Sequence, residues 1–357
     1  MKLWSAVRYA NGSIDTWVSR KFTYTKEIDN LNPSNTTVLQ NARKPLIIPT
    51  YDKSNQVVHP SVIDFYTEHG LQQWGGYRFW MVATPYPYSN DFYENPCVYT
   101  SSDGVNWFVP HKIINPIDQA PGGLKMGFNN DPDMIYDPDA DEIRVYFRFA
   151  SRSHLKVKMV RVRANLTVSR PITVISQSPW TQSENTHRSL CIWRESSHQW
   201  HMWGGGGTEA PPHNIYYRFS RDGIHWEPPK KCVNDNGNDP FQDIGYTNWH
   251  FSCKPNYQKK RIEFLSYANP TISNSKGGLF YAECSMTTPF LIRTPIVEPI
   301  LLPSERNWDN GTLYRATFCL DGSVNNYYRV WYSARSERGT WKLGYTGGYI
   351  HNARRDS

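Results

Sequence analysis

A proline-rich loop, TPYPYSNDFYENP (84–96), carries Tyr86, Tyr88 and Tyr93 beside Glu94. The segment is too polar for a core. A tyrosine offers a flat apolar face and a polar tip, so these rings suit stacking against sugars. Other clusters invite chemistry but fail on spacing. His198 and His201 stand three apart, which in a strand places them on opposite faces and argues against a metal pair. Residues 235–243 are rich in Asp yet lack the closing Glu of a calcium loop. Gly204 to Gly207 has no Lys-Ser/Thr after it, so it reads as a flexible loop and not a phosphate cradle. No metal and no cofactor is expected from these patterns.

Two segments are near copies: Ser101-Ser-Asp-Gly-Val-Asn-Trp107 and Ser220-Arg-Asp-Gly-Ile-His-Trp226. Asp-Gly between strand-like runs is a hairpin signal, because Gly tolerates positive φ and Asp bonds its own backbone. The Trp four residues after the Asp can fold back onto the turn. Because the turn recurs, Asp103 and Asp222 read as architecture and not as catalytic groups.

The turns belong to a larger repeat. Its five units open at His59 (HPSVIDF), Asp131 (DPDMIYDP), His187 (HRSLCIW), Asn248 (NWHFSCKPN) and Leu313 (LYRATFCLD). Each continues into an aromatic-rich strand such as YRFWMVATP (77–85) or YYRVWYSAR (327–335) and closes with a third strand. The runs are short, rich in β-branched and aromatic residues, and alternate only partly, as strands do when both faces meet protein. A loose period near 60 residues suits the blades of a propeller. The fold class expected is all-β, a five-bladed β-propeller with a short N-terminal β-hairpin or extension. The expected boundaries are 1–45 for the extension, 46–350 for the propeller and 351–357 for a frayed tail. The extension is either a closure strand or an attachment hairpin. The last blade is completed either by the segment before the first unit or by a run such as Ile300-Leu-Leu302.

Composition narrows the class. The 357 residues include 23 Tyr and 14 Trp, with 48 Gly and Pro (23 + 25) to supply turns. The formal charge is +7 (39 basic against 32 acidic residues), with no basic arm for nucleic acid, though a positive surface attracts polyanionic polymers. No apolar run is long enough to span a membrane, and Met1 to Tyr9 lacks the apolar core of a secretory signal. The six Cys are scattered without a C-x-x-C pair and are expected as buried thiols.

These units resemble the five-bladed propeller of furanosidase-like glycoside hydrolases. A closer resemblance, over about residues 45–348, is to propeller proteins of phages infecting Gram-positive bacteria, including tail receptor-binding proteins. It is carried by HPSVI, GGYRFWMVATPYP, YENPCVYTSSDGVNW, DPDMIYDP, WHMW, YYRFSRDGIHW and LYRATF followed by VWYSAR.

The resemblance implies that the innermost strand of each blade lines a central funnel. It places ligand-contacting residues at the strand entrances: His59, Asp131 and Asp133, His187 and Arg188, Trp249 and His250, Tyr314 and Arg315. It implies three carboxylates for glycoside cleavage. Blade one carries His59 where the hydrolases carry Asp. Blade two keeps Asp131, and in blade three His187 stands at the acid's place with Glu184 just before it. Glycan binding at the funnel, with Tyr86, Tyr93 and Glu94 at its mouth, is therefore the function expected. The chain is expected as a tail or fibre receptor-binding protein for a cell-surface glycan such as a teichoic acid. It would be made in the host cytoplasm without a signal peptide, assembled with other virion subunits, and form a homo-oligomer, a trimer by analogy. The alternative is a glycoside hydrolase acting on furanosides or a related cell-wall glycan, with Asp131, Glu184 and Glu94 as its carboxylates.

Overall fold

A computed structural model describes residues 39–177, 187–206, 214–271, 277–321 and 327–350. Their strands form five antiparallel sheets, each a run of sequence neighbours joined by hairpins. The first holds β1 (Val57–Asp64), β2 (Phe79–Pro85) and β3 (Cys97–Ser101), with a one-turn helix α1 (Phe65–His69) after β1. The second holds β4 (Phe128–Asp137), β5 (Glu142–Ala150), β6 (Leu155–Arg163) and β7 (Ile172–Gln177). The third holds β8 (Arg188–Ser196), β9 (Gln199–Gly205), β10 (Ile215–Ser220) and the short β11 (Lys230–Lys231). The fourth holds β12 (Tyr246–Asn256), β13 (Arg261–Pro270) and β14 (Gly278–Ser285), and the fifth β15 (Thr312–Leu320), β16 (Tyr327–Arg335) and β17 (Trp341–Tyr349).

The leading strands pack in a cycle. β1 meets β4, β4 meets β8, β8 meets β12, β12 meets β15, and β15 returns to β1. This closed ring is the centre of a propeller, and closure removes the exposed sheet faces that an open array would leave. The apolar core is divided accordingly into five clusters, one between each pair of neighbouring blades. Trp80, Trp193, Trp200, Trp203 and Trp331 are fully buried there. Each such side chain contributes roughly 1.5–3 kcal/mol or more on burial.

The copied turns tie blades together. Trp107 Nε1 donates to Gly104 O, as its spacing suggests, and Trp331 Nε1 from the fifth blade donates to the same oxygen. The partner turn is gripped by the second blade, where Tyr146 Oη donates to Gly223 O and Arg144 to Asp222 O. Gly104 has φ 78°, and a Cβ there would stand 3.0 Å from Trp331 Cζ2, so both conformation and space require glycine.

Packing against the propeller begins before residue 46. Leu39 and Ala42 join the cluster between blades four and five, and Leu46 N donates to Leu343 O on β17. The segment ahead of β1 therefore lies on the last blade, while Ile300 and Leu301 pair with Leu279 on blade four. The hairpin expected near residues 3–19 and the tail 351–357 lie outside the described residues. All six Cys are buried and free, as expected. Among the described residues no helix is long and apolar enough to cross a membrane.

Candidate functional site

One local irregularity recurs in all five inner strands. In β1, pairing passes from Val58↔Thr84 to Ser61↔Val82, so the inner strand advances three residues while its partner advances two. The same single-residue excess occurs between Asn130 and Asp133, Arg188 and Cys191, Asn248 and His250, and Leu313 and Ala316. A bulge bends its strand and re-aims a side chain. His59 (φ 57°) and Asp131 (φ 49°) sit at the bulges of blades one and two in left-handed backbone, a conformation that disfavours side chains with a Cβ.

The bulges bring three ligating side chains from three blades to one point. His59 Nε2 lies 3.4 Å and His250 Nδ1 3.3 Å from the same oxygen, Asp131 Oδ1. Each of the three offers one ring nitrogen or carboxylate oxygen within 4.8 Å of the other two, and all three residues are buried. Neither contact has hydrogen-bond geometry, and His59 Nε2 and Asp131 Oδ1 are buried without a hydrogen-bond partner. Orphaned buried polar atoms of this kind require an explanation. Two ligands of a tetrahedral ion with bonds near 2.0–2.1 Å stand about 3.4 Å apart. Two imidazoles and a carboxylate are also a donor set that suits a divalent transition metal. The residues fit such an ion. Behind them, His59 Nδ1 lies 3.1 Å from Thr84 Oγ1 and 3.5 Å from Glu94 Oε1, the outer support that orients a metal-binding histidine. Ser189 Oγ lies 2.5 Å from His250 Nδ1, a hydrogen bond that this nitrogen would have to give up to ligate an ion.

The electrostatics match. Burial pushes His59 down to about 3 against the attraction of Asp131, and burial likewise lowers His250, so both rings are neutral near pH 7. Burial raises Asp131, but His59, His250 and Arg148 together outweigh it and hold the group below the usual carboxylate range. Glu94 goes the other way, raised well above its ordinary value by burial and by Asp131 and Asp91. Tyr314 is raised by burial too, and its ring centroid lies 4.1 Å from that of His250 and 5.2 Å from that of His59.

A cavity of about 170 Å³ opens over this cluster. Of the residues singled out in the sequence, His59, Tyr86, Glu94, Asp131, Arg188, Trp249, His250 and Tyr314 line it. The others do not. Asp133 follows the bulge and faces the opposite way, where its carboxylate accepts from Ile192 N at 2.8 Å and stands 3.5 Å from Arg315. Arg315 is wholly buried and donates to Pro132 O and Leu190 O, tying blade five to blades two and three. His187 is wholly buried and is not among the residues of the lining. Tyr93 is held at the loop, its carbonyl accepting from Tyr51 Oη, and Tyr88 is exposed. Glu184 lies outside the described residues. Sequence reasoning missed Asp91, Asn130 and Arg148 in the lining, and it missed His59, Asp131 and His250 as a set that could hold a metal, because it weighed metal ligands by nearness along the chain.

No family model matches the chain. It is 25% identical over 335 residues to an A type blood N-acetyl-α-D-galactosamine deacetylase of Flavonifractor plautii. That alignment covers 78% of this chain and 40% of the relative, so the chain spans less than half the length of the curated protein it matches. Among solved structures it is similar to an N-acetylgalactosamine deacetylase from F. plautii in complex with blood group B trisaccharide, with a TM-score of 0.72 and 22% identity. That match covers 88% of this chain and 96% of the other. It is similar also to an α-L-arabinofuranosidase from Podospora anserina in complex with cellotriose, at TM-score 0.54 and 11% identity, covering 89% and 100%. A β-1,3-galactosidase of glycoside hydrolase family 43 gives TM-score 0.54 at 10% identity, covering 87% and 60%. The likeness to glycoside hydrolase propellers holds at the level of fold. The expectation of a phage tail receptor-binding protein is overturned, because a curated protein that matches 78% of the chain is a carbohydrate-modifying enzyme.

Proposed function

We propose that this chain is a carbohydrate-active hydrolase that removes an N-acyl group from an amino sugar, using a divalent metal held by His59, Asp131 and His250. The observation that carries the reading is the convergence of those three groups, two with orphaned atoms, beneath an open cavity. It draws further support from the deacetylase similar over most of the chain. When bound, such an ion polarises a carbonyl and lowers the pKa of a water.

The chain's own residues divide the remaining work. Glu94 faces the cavity, contacts His59 and has a raised affinity for protons, which suits a group that takes a proton from the attacking water and returns it to the departing nitrogen. In that sequence water oxygen joins the carbonyl carbon, the C–N bond breaks, and the products are a carboxylic acid and a free amine. Tyr314 stays protonated and is a hydrogen-bond donor beside the two histidines. Trp249, with the Arg188 guanidinium 5.7 Å from its ring centroid, is a platform for a sugar ring. Arg148 is a buried positive group in the lining that favours developing negative charge.

A second reading, glycoside cleavage, is favoured by one observation. Glu94 and Asp131 line one cavity with proton affinities pushed in opposite directions, as in an acid and base pair. One assay separates the two. The protein, loaded with Zn²⁺ or Mn²⁺, is incubated with p-nitrophenyl N-acetylgalactosaminide and with an N-acetylgalactosamine-terminated glycan. Acetate release that chelation and Asp131→Asn both abolish supports deacylation. Release of p-nitrophenol or reducing sugar without acetate overturns it in favour of the second reading.

A further inference from the structure

The inner strands have a second end, and a larger cavity lies there. It measures about 360 Å³ and is lined from α1 and from the far ends of β4, β8, β12 and β15, so it occupies the mouth of the ring opposite the cluster at His59. The layer between the two holds Arg315 with Asp133.

Two features of this mouth point to a ligand. First, Thr67, His69 and Ser252 line it, and Thr67 Oγ1, His69 Nε2 and Ser252 Oγ are buried without hydrogen-bond partners. Ser252 is only 2% exposed, so its hydroxyl depends on what fills the cavity. Second, both cations of the lining, Lys254 and Arg194, are already matched within the protein, as are most of its carboxylates. Lys254 Nζ is 2.7 Å from Glu68 and donates to Val62 O, Asp133 accepts from Ile192 N, Arg194 pairs with Asp137 and Asp139, and Asp321 pairs with Arg329. Glu195, exposed and 3.2 Å from His201, is the remaining carboxylate of the lining, so an anionic ligand would find no unpaired cation here, whereas two hydroxyls and an imidazole nitrogen complement groups that both donate and accept. The rest of the lining is largely apolar, with Met134, Ile192 and Leu320 inside and Tyr257, 61% exposed, at the rim. Its Oη lies 3.3 Å from Trp193 Nε1, which holds the ring at the entrance.

We propose that this far mouth is a second carbohydrate site that takes a neutral sugar unit, its hydroxyls on Thr67, His69 and Ser252 and its apolar face on Tyr257. The inference stands on its own observations and does not rest on the deacylase reading.

The test titrates methyl α-galactoside, methyl α-glucoside and N-acetylgalactosamine into Asp131→Asn protein, with saturation-transfer NMR and calorimetry as readouts. At least one neutral sugar is expected to bind saturably, with Tyr257→Ala weakening it tenfold or more and Ser252→Val abolishing it. Tyr257 is exposed, so its truncation leaves the fold intact if Ser252→Val does not fold. In the otherwise native protein Tyr257→Ala is expected to leave turnover at the first site unchanged. No saturable binding by any of the three sugars overturns the proposal. So does binding indifferent to Tyr257→Ala, or tighter binding of glucuronate, titrated alongside, than of the neutral sugars.

Discussion

His59 and Asp131 come from neighbouring blades, each immediately before a proline and each in left-handed backbone, and they meet with Nε2 3.4 Å from Oδ1. Holding two residues other than glycine in that conformation costs on the order of 1–3 kcal/mol apiece. The rest of the ring sustains it, which is the pattern of a site stabilised by its scaffold against local preference. Asp131→Asn and His250→Ala should each leave a folded protein that binds Zn²⁺ at least about 100-fold more weakly, since losing even an outer support typically costs 10–100-fold. Calorimetry with Zn²⁺ checks this, and full-strength binding by either variant would dissolve the centre.

Glu94→Gln separates holding the metal from using it. Glu94 touches His59 only at 3.5 Å and stands outside the ligand set. The substitution should keep Zn²⁺ binding within a few-fold of wild type while acetate release falls roughly 10²–10⁴-fold, the usual share of a general acid–base group. The expected loss is in kcat, with KM little changed. Unchanged turnover would remove Glu94 from the reaction.

How much of this was legible in the sequence depends on the distance over which each signal acts. The Asp-Gly turn is local chemistry, so the backbone bonds of Asp103 and the docking of Trp107 follow from seven consecutive residues. The repeat gave the five inner strands, since each has the same apolar and aromatic pattern. What alternation misjudged was which way a residue points after a bulge. One extra residue reverses the facing of everything beyond it. Asp133, two past Asp131, was therefore grouped with the funnel mouth, yet it faces the far cavity. Arg148 was missed because its nearness to Asn130 is a matter of pairing register between β4 and β5. The ligand set spans residues 59 to 250, a separation no local motif reports.

The turns predict an acid limb in stability. Burial raises the Asp103 carboxyl, but bonds from Asn106 N, Val105 N, the Asn106 amide and Ser101 outweigh it and leave the folded value below the ordinary one. A depressed carboxylate stabilises the fold above its unfolded pKa of about 3.9, and that stabilisation is lost as pH falls through the lower folded value. Asp103→Asn should therefore melt below wild type at pH 6–7, with the gap closing as pH drops from 5 towards 2. Thermal melts at stepped pH check this. A gap that widens in acid would reverse the sign and refute the account. Asp222, depressed chiefly by bonds from His225 against its burial, should behave alike.

Arg315 joins three blades at the axis. It reaches Pro132 O at 2.8 Å and Leu190 O at 2.6 Å, and it stands 3.5 Å from Asp133. Pro132 follows the ligand Asp131 directly, so this guanidinium fixes the backbone from which the ligand projects. Arg315→Met would leave the buried Asp133 carboxylate without its counter-charge and two carbonyls without their donor, a loss of roughly 3–5 kcal/mol. Arg315→Lys should recover only part of it, because an ammonium cannot span two carbonyls of different blades as a planar fork does. Paired with Asp133→Asn, Arg315→Met should be less damaging than alone, since the stranded charge goes with its partner. Denaturant melts of the four proteins measure the coupling. Strict additivity would mean that Arg315 acts on the two backbones alone.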